Sequence, residues 1–506
     1  MKSKIKNINE LPELIDNLKS KGKTVIHCHG VFDLLHIGHI KHFEEAKSLG
    51  DVLIVSITPD KYVHKGPGRP AFSTSLRLEA LAALENIDFV VSNEWPTAIE
   101  IIKIIKPNIY VKGPDYSDQL NDLTGKIVDE EDAVNSIGGK VHYTDDITFS
   151  SSSLLNKHGN VYSQEQSSFV EKLNKKFEFQ GIKSSIDSLK KLKVLIIGEI
   201  IIDQYIFCEA LGKSGKEPIL ALRDLETQEY LGGVLAIARH LNEFCEEVSI
   251  LSFLGENREY ESFIEDKIEG NIKLNLLTKS KSPTIVKRRF VDNIDRKKIL
   301  GVYSINDNFL TEDEENTFLS SIDMLSDQHD LVVVSDYGHG IITSKIAEYI
   351  SNIDKFVSLN AQVNAANIGT HNIRKYRDID SLIINANELR HEMRQRDGNL
   401  KDLAIKIKGM MNAKFITVTQ GKDGAFLIDN EKNEVRSPGF ASKVVDKVGS
   451  GDALLAILSV ALFNKMDDEL ALFIASIAAA QSVETIGNSL PVNKQKLLKA
   501  ISHALK

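Results

Sequence analysis

Cysteine is scarce in this 506-residue chain: Cys28, Cys208 and Cys245 are the only three. Their number and spacing give neither a disulfide framework nor a structural zinc site, and they suit a reducing, cytoplasmic setting. Basic charge is not in excess either. Lys and Arg total 62 against 71 Asp and Glu, for a net charge of −9. The broad positive footprint of a nucleic-acid binder is therefore missing, although one basic pocket for a small phosphorylated ligand is still compatible with it. Long apolar runs are absent. The longest, from Ala453 to Phe463, is too short to cross a bilayer. The charged opening MKSKIKNINELPELIDNLKSKGK lacks the apolar core of an export signal, so none is expected. No internal repeat is visible.

What is present is ordinary globular material, 42% hydrophobic and 26% charged, in a chain too long for one core. Apolar β-rich runs at 24–28, 51–57, 88–92, 108–113 and 140–144 alternate with helical patterns at 38–49, 75–86 and 97–105. Near-continuous apolar strands of this kind belong to a parallel sheet covered by helices. Residues 156–190 are polar and rich in Lys, Glu and Ser, and read as a connecting helix or linker. A second α/β series starts near 191, with strands expected at 193–198, 248–254, 331–336, 355–360, 381–385 and 415–421. Antiparallel material near 219–230 and 283–304 suits a small β lid. The expected organisation is a domain at 1–157, a connection at 158–190 and a larger domain at 191–506.

Two segments carry chemistry. The first is His27-Cys28-His29-Gly30-Val31-Phe32-Asp33-Leu34-Leu35-His36-Ile37-Gly38-His39. A strand ends, a glycine-containing loop follows, and a helix starts near the last histidine. Ligands of open α/β sheets bind at carboxyl ends of strands, and a helix N-terminus there favours phosphate. Two histidines flanking Gly38 can donate to phosphate oxygens and stabilise charge on a leaving pyrophosphate. A packing or metal-binding role is the alternative, but the spacing is not that of a helical zinc motif. The segment resembles the HxGH nucleotidyltransferase superfamily, in its cytidylyltransferase-like branch, and more closely the nucleotidyltransferase half of bifunctional enzymes that make ADP-heptose. Further matches are GDVLIVSITPD (50–60), KGPGRP (65–70), LRLEALAALENIDFVV (76–91), KPNIYVKGPDY (106–116) and FSSSSLL (149–155).

That resemblance implies a Rossmann-like domain. His36 and His39 would touch nucleotide phosphates, within a loop that includes Gly30 and Phe32. Lys65, Arg77 and Lys112 would serve the nucleotide or phosphate, and so would Ser151 and Ser152 at a helix start. His29 departs from the asparagine frequent in relatives, at a position facing the ligand. The reaction needs no strong base, because the attacking phosphate is already ionised; alignment and charge neutralisation do the work, with Mg2+ sharing the triphosphate charge.

The second segment is Asp446-Lys447-Val448-Gly449-Ser450-Gly451-Asp452-Ala453, followed by an apolar helix. Glycines around a serine before a helix build an anion nest from backbone N–H groups. A carboxylate in the same pocket makes sense if it takes a proton from a hydroxyl during phosphoryl transfer; plain helix capping is the alternative. Residues 191–506 resemble the ribokinase-like (PfkB) carbohydrate kinases, through LGGVLAIARHL (231–241), SPTIVKRRFV (282–291), VVVSDYGHG (332–340), IINANEL (383–389), VTQGKDGAFL (418–427) and VVDKVGSGDA (444–453). GEIIIDQY (198–205) and SDYGHG are closest to the kinase half of the heptose enzymes, with the domain order reversed. The resemblance implies a three-layer fold with a β lid. It makes Asp452 the catalytic base and Gly449, Ser450 and Gly451 the anion hole. Asp203, Gly232 and Gly233 would shape the sugar site. Asn385 and Glu388 would serve the magnesium–phosphate region, and Thr419 and Gly421 the nucleotide side. Departures are Ala236 for an asparagine, Asn360-Ala361 for Asp-Pro, Ile383-Ile384 for Thr-Pro, and the polar QVNAANIG at 362–369.

Joined, the two halves are expected to phosphorylate a sugar or sugar phosphate, such as heptose 7-phosphate, at its anomeric position with ATP. They would then transfer a nucleotidyl group from ATP or CTP to the sugar 1-phosphate. The Lys-rich stretch 281–298 suits a phosphorylated or acidic sugar. A homodimer is expected, with no nucleic-acid or membrane partner. The alternative is a CTP-dependent cytidylyltransferase for another sugar or polyol phosphate, with the kinase-like half altered or serving to bind or dimerise.

Overall fold

A computed structural model describes residues 2–63, 69–113, 127–144, 162–213, 219–363, 367 and 371–505. Two compact units emerge, Met1–Val170 with Leu498–Lys506, and Glu171–Leu497.

The sheet of the first unit contains β1 (Ile5–Lys6), β2 (Val25–Gly30), β3 (Val52–Ile57), β4 (Phe89–Ser92), β5 (Ile109–Lys112) and β6 (Lys140–Tyr143), in the order β1-β4-β3-β2-β5-β6. Every pairing is parallel. Successive residues of β3 enter opposite cores: Val52 and Ile54 pack with Ile101, Ile102 and Ile105, while Leu53, Val55 and Ile57 pack with Phe43 and Leu81. Burial on both faces is why these strands read as unbroken apolar runs. From β2 the chain winds one way through β3 and β4, then the other way through β5 and β6. The carboxyl ends of β2 and β5 therefore flank a topological switch point, where open α/β sheets bind ligands.

The second unit carries a nine-stranded sheet and a four-stranded one. The larger contains β7 (Lys193–Gly198), β10 (Glu247–Gly255), β11 (Ile272–Lys279), β14 (Leu331–Asp336), β15 (Phe356–Ala361), β16 (Ser381–Asn385), β17 (Phe415–Thr419), β18 (Ala425–Ile428) and β19 (Glu434–Ser437), ordered β11-β10-β7-β14-β15-β16-β17-β18-β19. Pairings from β11 to β17 are parallel and the last two are antiparallel. The lid contains β8 (Ile200–Lys213), β9 (Leu220–Gly233), β12 (Val286–Asp292) and β13 (Lys298–Ser304), ordered β13-β12-β8-β9. The helices Ser450–Phe463 and Asp468–Ser482 are apolar almost all round, because both are buried nearly all round. Truncating one of their fully buried leucines, such as Leu458, costs about 2–5 kcal/mol.

The connection is helical, one of the two forms expected for it. Residues 164–188 form two helices, Gln164–Lys176 and Phe179–Ser188. The second buries Ile182 and Ile186, and Lys172 and Lys176 pair with Glu469 and Asp467 at 2.6 and 2.8 Å. The second compact unit runs from Glu171 to Leu497, so it takes in most of this helical connection. Sparse apolar anchors on a polar helix were enough to dock it. Elsewhere the expected elements occur with shifted ends, as in Thr74–Ala82 for 75–86.

Candidate functional sites

In the first unit, β2 delivers the chain into its loop at Gly30, where a Cβ would lie 2.9 Å from the Phe32 ring. Phe32 itself takes a left-handed backbone, φ 47°, a conformation that costs a non-glycine residue and is held only by its surroundings. Its ring packs edge-on against His39, centroids 5.3 Å apart, and against Phe43 at 5.0 Å. His36 occupies the N-cap of the helix Ile37–Ser48. The His36 and His39 rings stack with centroids 3.9 Å apart. Burial lowers the His36 pKa.

Behind them runs a hydrogen-bonded chain that sequence reasoning missed. His27 Nε2 and His29 Nδ1 both meet Ser56 Oγ, at 2.7 and 2.8 Å, and His29 Nε2 meets Thr58 Oγ1 at 3.2 Å. Burial, aided by the Lys112 charge, pushes His29 down to about 3. The residue that departs from the family asparagine is thus a neutral imidazole bonded to β3 and the residue just after it. The alternation of His27 and His29 on β2 with Ser56 and Thr58 in the next strand region was the available signal.

Two cations expected at phosphate are occupied by the protein. Arg77 is 1% exposed and donates to the Phe72, Val31 and Thr58 carbonyls at 3.0, 2.6 and 2.9 Å and to Asp60 at 2.6 Å. It clamps the loops after β2 and β3 to its own helix. Lys112 pairs with Glu130 at 2.6 Å, which also accepts from the Tyr110 hydroxyl at 3.0 Å. Asp33 accepts from the Ala71 and Phe72 amides at 2.9 and 3.1 Å. Lys65, Ser151 and Ser152 lie outside the described residues.

In the second unit, Asp452 is the third residue of the helix Ser450–Phe463, with Gly449 as N-cap. Gly449 has φ +94°, and a Cβ there would fall 1.8 Å from Asn488 Oδ1. Glycine is therefore required on two counts, conformation and space. Ser450 Oγ donates to the Lys447 carbonyl at 3.2 Å, and around Gly451 there is open space. The first amides of a helix have no intrahelical acceptor, which leaves this turn suited to an anion. Asp452 is buried, and Tyr337 Oη donates to its Oδ1 at 2.9 Å. Burial, with Asp203 adding to it, pushes Asp452 up to about 7, while Tyr337, Asn488 and Lys287 favour its charged form.

Asp203 on β8 pairs with Arg289 on β12. A Cβ on Gly232 would lie 2.5 Å from Asp203 Oδ2, and one on Gly233, at φ +58°, 2.3 Å from the Glu199 carbonyl. The glycine pair thus makes room for the carboxylate and for the β7–β8 connection. Of the Lys-rich stretch, Lys297 and Lys298 pair with Asp295 and Asp446 at 3.0 and 2.6 Å. Lys287 is instead buried, with Nζ 5.1 Å from the Tyr337 ring centroid. Asp203, Lys287, Tyr337 and Asp452 form one electrostatic cluster.

Asn385 and Glu388 form a reciprocal cap. Asn385 Oδ1 accepts from the Asn387 and Glu388 amides, and Glu388 Oε2 from the Asn385 amide, all at 2.9 Å. Burial pushes Glu388 up to about 7. Asn385 is in register with Thr419 on β17, and Gly421 follows at φ +62° with open space around it. These four residues gather at the carboxyl ends of adjacent strands. Asn360 Nδ2 donates to the Ile383 carbonyl at 2.8 Å, so the amide that replaces the family carboxylate cross-links β15 to β16. Ala361 and Ala236 are buried. Among the described residues no three or more His, Cys, Asp or Glu are grouped to hold a metal ion, and no helix is long and apolar enough to cross a membrane.

Comparison with known proteins agrees with this division. The pfkB family carbohydrate kinase model matches residues 191–495, and the cytidylyltransferase-like model matches residues 27–158. Over 141 residues the chain is 43% identical to the bifunctional protein HldE of Aliarcobacter butzleri, covering 27% of this chain and 29% of that protein. Over 169 residues it is 37% identical to HldE of Geobacter metallireducens, covering 32% of each. The matched stretches lie in the N-terminal region and span under a third of these relatives. The solved ribokinase of Giardia lamblia superposes with a TM-score of 0.50 at 17% identity, over 61% of this chain and 99% of that one, which is a likeness of fold. With its model matched across residues 191–495, the chain belongs to the pfkB family of carbohydrate kinases and carries a cytidylyltransferase-like segment ahead of the kinase fold.

Proposed function

We propose that the protein builds a nucleotide-activated sugar in two steps, one in each unit. The observation that carries the kinase step is Asp452, a buried carboxylate held beside the open amides of a helix start. In that step Asp452 takes the proton of the sugar's anomeric hydroxyl. The oxygen attacks the γ-phosphorus of ATP, its bond to the bridging oxygen breaks, and ADP leaves. The amides of Ser450 and Gly451 receive the negative charge of the moving phosphoryl group. Asp203 orients sugar hydroxyls, and Lys287 suits an acceptor that already carries a phosphate or carboxylate, such as a heptose 7-phosphate.

In the second step an oxygen of the sugar 1-phosphate attacks the α-phosphorus of ATP or CTP, and pyrophosphate leaves. His36 and His39 bind the phosphates and offset the charge developing on the leaving group. Magnesium supplies charge neutralisation on the triphosphate. In the kinase unit Asn385 and Glu388 are the residues that would face it. The buried Glu388 carboxyl gains from a nearby cation, and nucleotide oxygens and water would complete the coordination, as is usual for this ion.

The decisive experiment offers the purified chain a panel of sugars and sugar phosphates with each of the four nucleoside triphosphates, and identifies products by mass. An anomeric phosphate followed by a nucleoside diphosphate sugar is expected. Nucleotidyl transfer with CTP alone, and no phosphoryl transfer to any sugar, would favour the second reading. In that reading the substitutions at Ala236, Asn360 and Ala361 leave the kinase-like unit as a binding or dimerising module. The lid supports a homodimer in either case: Leu220, Leu225, Leu300 and Val302 are all exposed on it, and a second copy of the lid would cover such a face. Sedimentation velocity tests this. A cytoplasmic location goes with the proposed substrates.

A further inference from the structure

The segment Asp336-Tyr337-Gly338-His339-Gly340 is bound more tightly than a connecting loop requires. Glu199 accepts from the Tyr337 and His339 amides at 2.8 and 3.0 Å. Asp336 accepts from the Gly338 amide at 3.0 Å and is itself held by Tyr376 and Lys375 at 2.8 and 2.7 Å. Asn367 Nδ2 donates to the Tyr337 carbonyl at 2.8 Å. Gly338 and Gly340 have φ +72° and +87°, and a Cβ on Gly340 would lie 2.2 Å from the Asn308 carbonyl. Two buried carboxylates and two glycines thus fix one backbone path, and the side chain that this path aims at Asp452 is Tyr337. Its ring carries Lys287 Nζ at 5.1 Å, and its hydroxyl reaches Asp452 Oδ1 at 2.9 Å.

We propose that Tyr337 is a positioning residue of the phosphoryl-transfer site, whose hydroxyl holds Asp452 in its charged, proton-accepting form and turns its other oxygen to the acceptor hydroxyl. This rests on the reading of Asp452 as the base. The need for such a group follows from the surroundings. Burial and the facing Asp203 oppose charge on Asp452, and Lys287 and the Asn488 amide favour it. The Tyr337 hydroxyl closes a 2.9 Å hydrogen bond on Oδ1 and is the first of the groups that favour the charged form, with the Asn488 amide contributing less. Burial also raises the phenol's own pKa well above its ordinary value, so Tyr337 remains a donor wherever the base works. A hydrogen bond to a charged group is worth about 10- to 100-fold in an equilibrium.

The test is Tyr337→Phe in the full-length chain, with folding checked by thermal melt. The acid limb of the kinase pH–rate profile is expected to move up by about one to two pH units. Turnover at pH 7 falls about 5- to 50-fold and is largely recovered near pH 9.5, while nucleotidyl transfer is unchanged. A loss of the same factor at every pH, or no shift, overturns the proposal and leaves Tyr337 a packing group. The Asp452 carboxyl is followed separately by carbon NMR of labelled aspartate, its signal assigned by its loss in Asp452→Asn. Its titration midpoint should rise in Tyr337→Phe by the same one to two units, whether or not any sugar is phosphorylated. An unmoved midpoint overturns the proposal. Normal phosphoryl transfer by Asp452→Asn with a moved midpoint instead removes Asp452 as the base and keeps the Tyr337 interaction. If Tyr337→Phe does not fold, the native midpoint decides: a value near or below neutrality supports the hold, and one above about 8 overturns it.

Discussion

Replacing Asp452 with asparagine should make the kinase unit more stable and inactive at once. Asp452 moves from an ordinary value near 3.8 to about 7, chiefly through burial. The unfolded chain then releases this proton near pH 4, and the folded chain only near pH 7. Stability at this position is therefore lost as pH rises through that window, reaching about 4 kcal/mol at most above pH 7. Asparagine carries no charge to bury and keeps an oxygen for Tyr337. The variant should melt a few degrees higher than the native chain at pH 8, with the gap closing toward pH 4. In the same protein, phosphoryl transfer should fall about 10²- to 10⁴-fold, the usual worth of a general base. The assay pairs thermal melts at pH 4 to 8.5 with ADP release in the presence of an accepted sugar. A melting difference that ignores pH, or turnover close to native, would refute Asp452 as a buried general base.

Other substitutions separate the units and test the frame around each site. His36→Ala and His39→Ala should each cut pyrophosphate release by at least about 10²-fold and leave ADP formation by the kinase unit nearly native; parallel loss of both activities in a folded protein would contradict two independent sites. Gly449→Ala, which drives a Cβ to 1.8 Å from Asn488 Oδ1 at φ +94°, should abolish phosphoryl transfer while the cytidylyltransferase-like unit stays active, as measured by the two product assays on one preparation. Arg77→Ala should destabilise the first unit by about 3 kcal/mol, because it leaves three loop carbonyls without their donor; a denaturant midpoint close to native would place Arg77 outside the frame.

The sheets were legible because their strands are buried on both faces. Val52–Ile57 and Leu331–Asp336 are buried at every position, and such runs announce themselves with no alternation to interpret. How the segment before residue 191 docks was not legible, for the opposite reason. Its helices spend only a few apolar residues, such as Leu173, Ile182 and Ile186, on docking, and the charged pairs to Asp467 and Glu469 involve partners nearly three hundred residues away. No local pattern encodes a partner at that distance.

The sites divide along a similar line. Some glycines have local reasons, Gly30 under Phe32 and Gly449 at a left-handed N-cap, while Gly232 against Asp203 on the neighbouring strand came only through the family resemblance. Charged residues could not be placed locally, because a cation near a phosphate loop has two uses that look alike in one dimension. Arg77 and Lys112 were both expected at phosphate, yet Arg77 joins three loop segments and Lys112 meets Glu130. In a parallel α/β sheet the ligand site is made of loops, and loops need internal donors as much as ligands do. Lys287 shows the reverse. It reads as one lysine in a basic lid strand, but among the lysines of that stretch it is the one buried against the Tyr337 ring and facing both Asp203 and Asp452. Among the described residues Lys287 closes no direct salt bridge, so burying its ammonium is costly, and burial accordingly lowers its pKa. That cost is offset when an anionic substrate enters, so the residue least explained by the fold is the one best explained by the reaction.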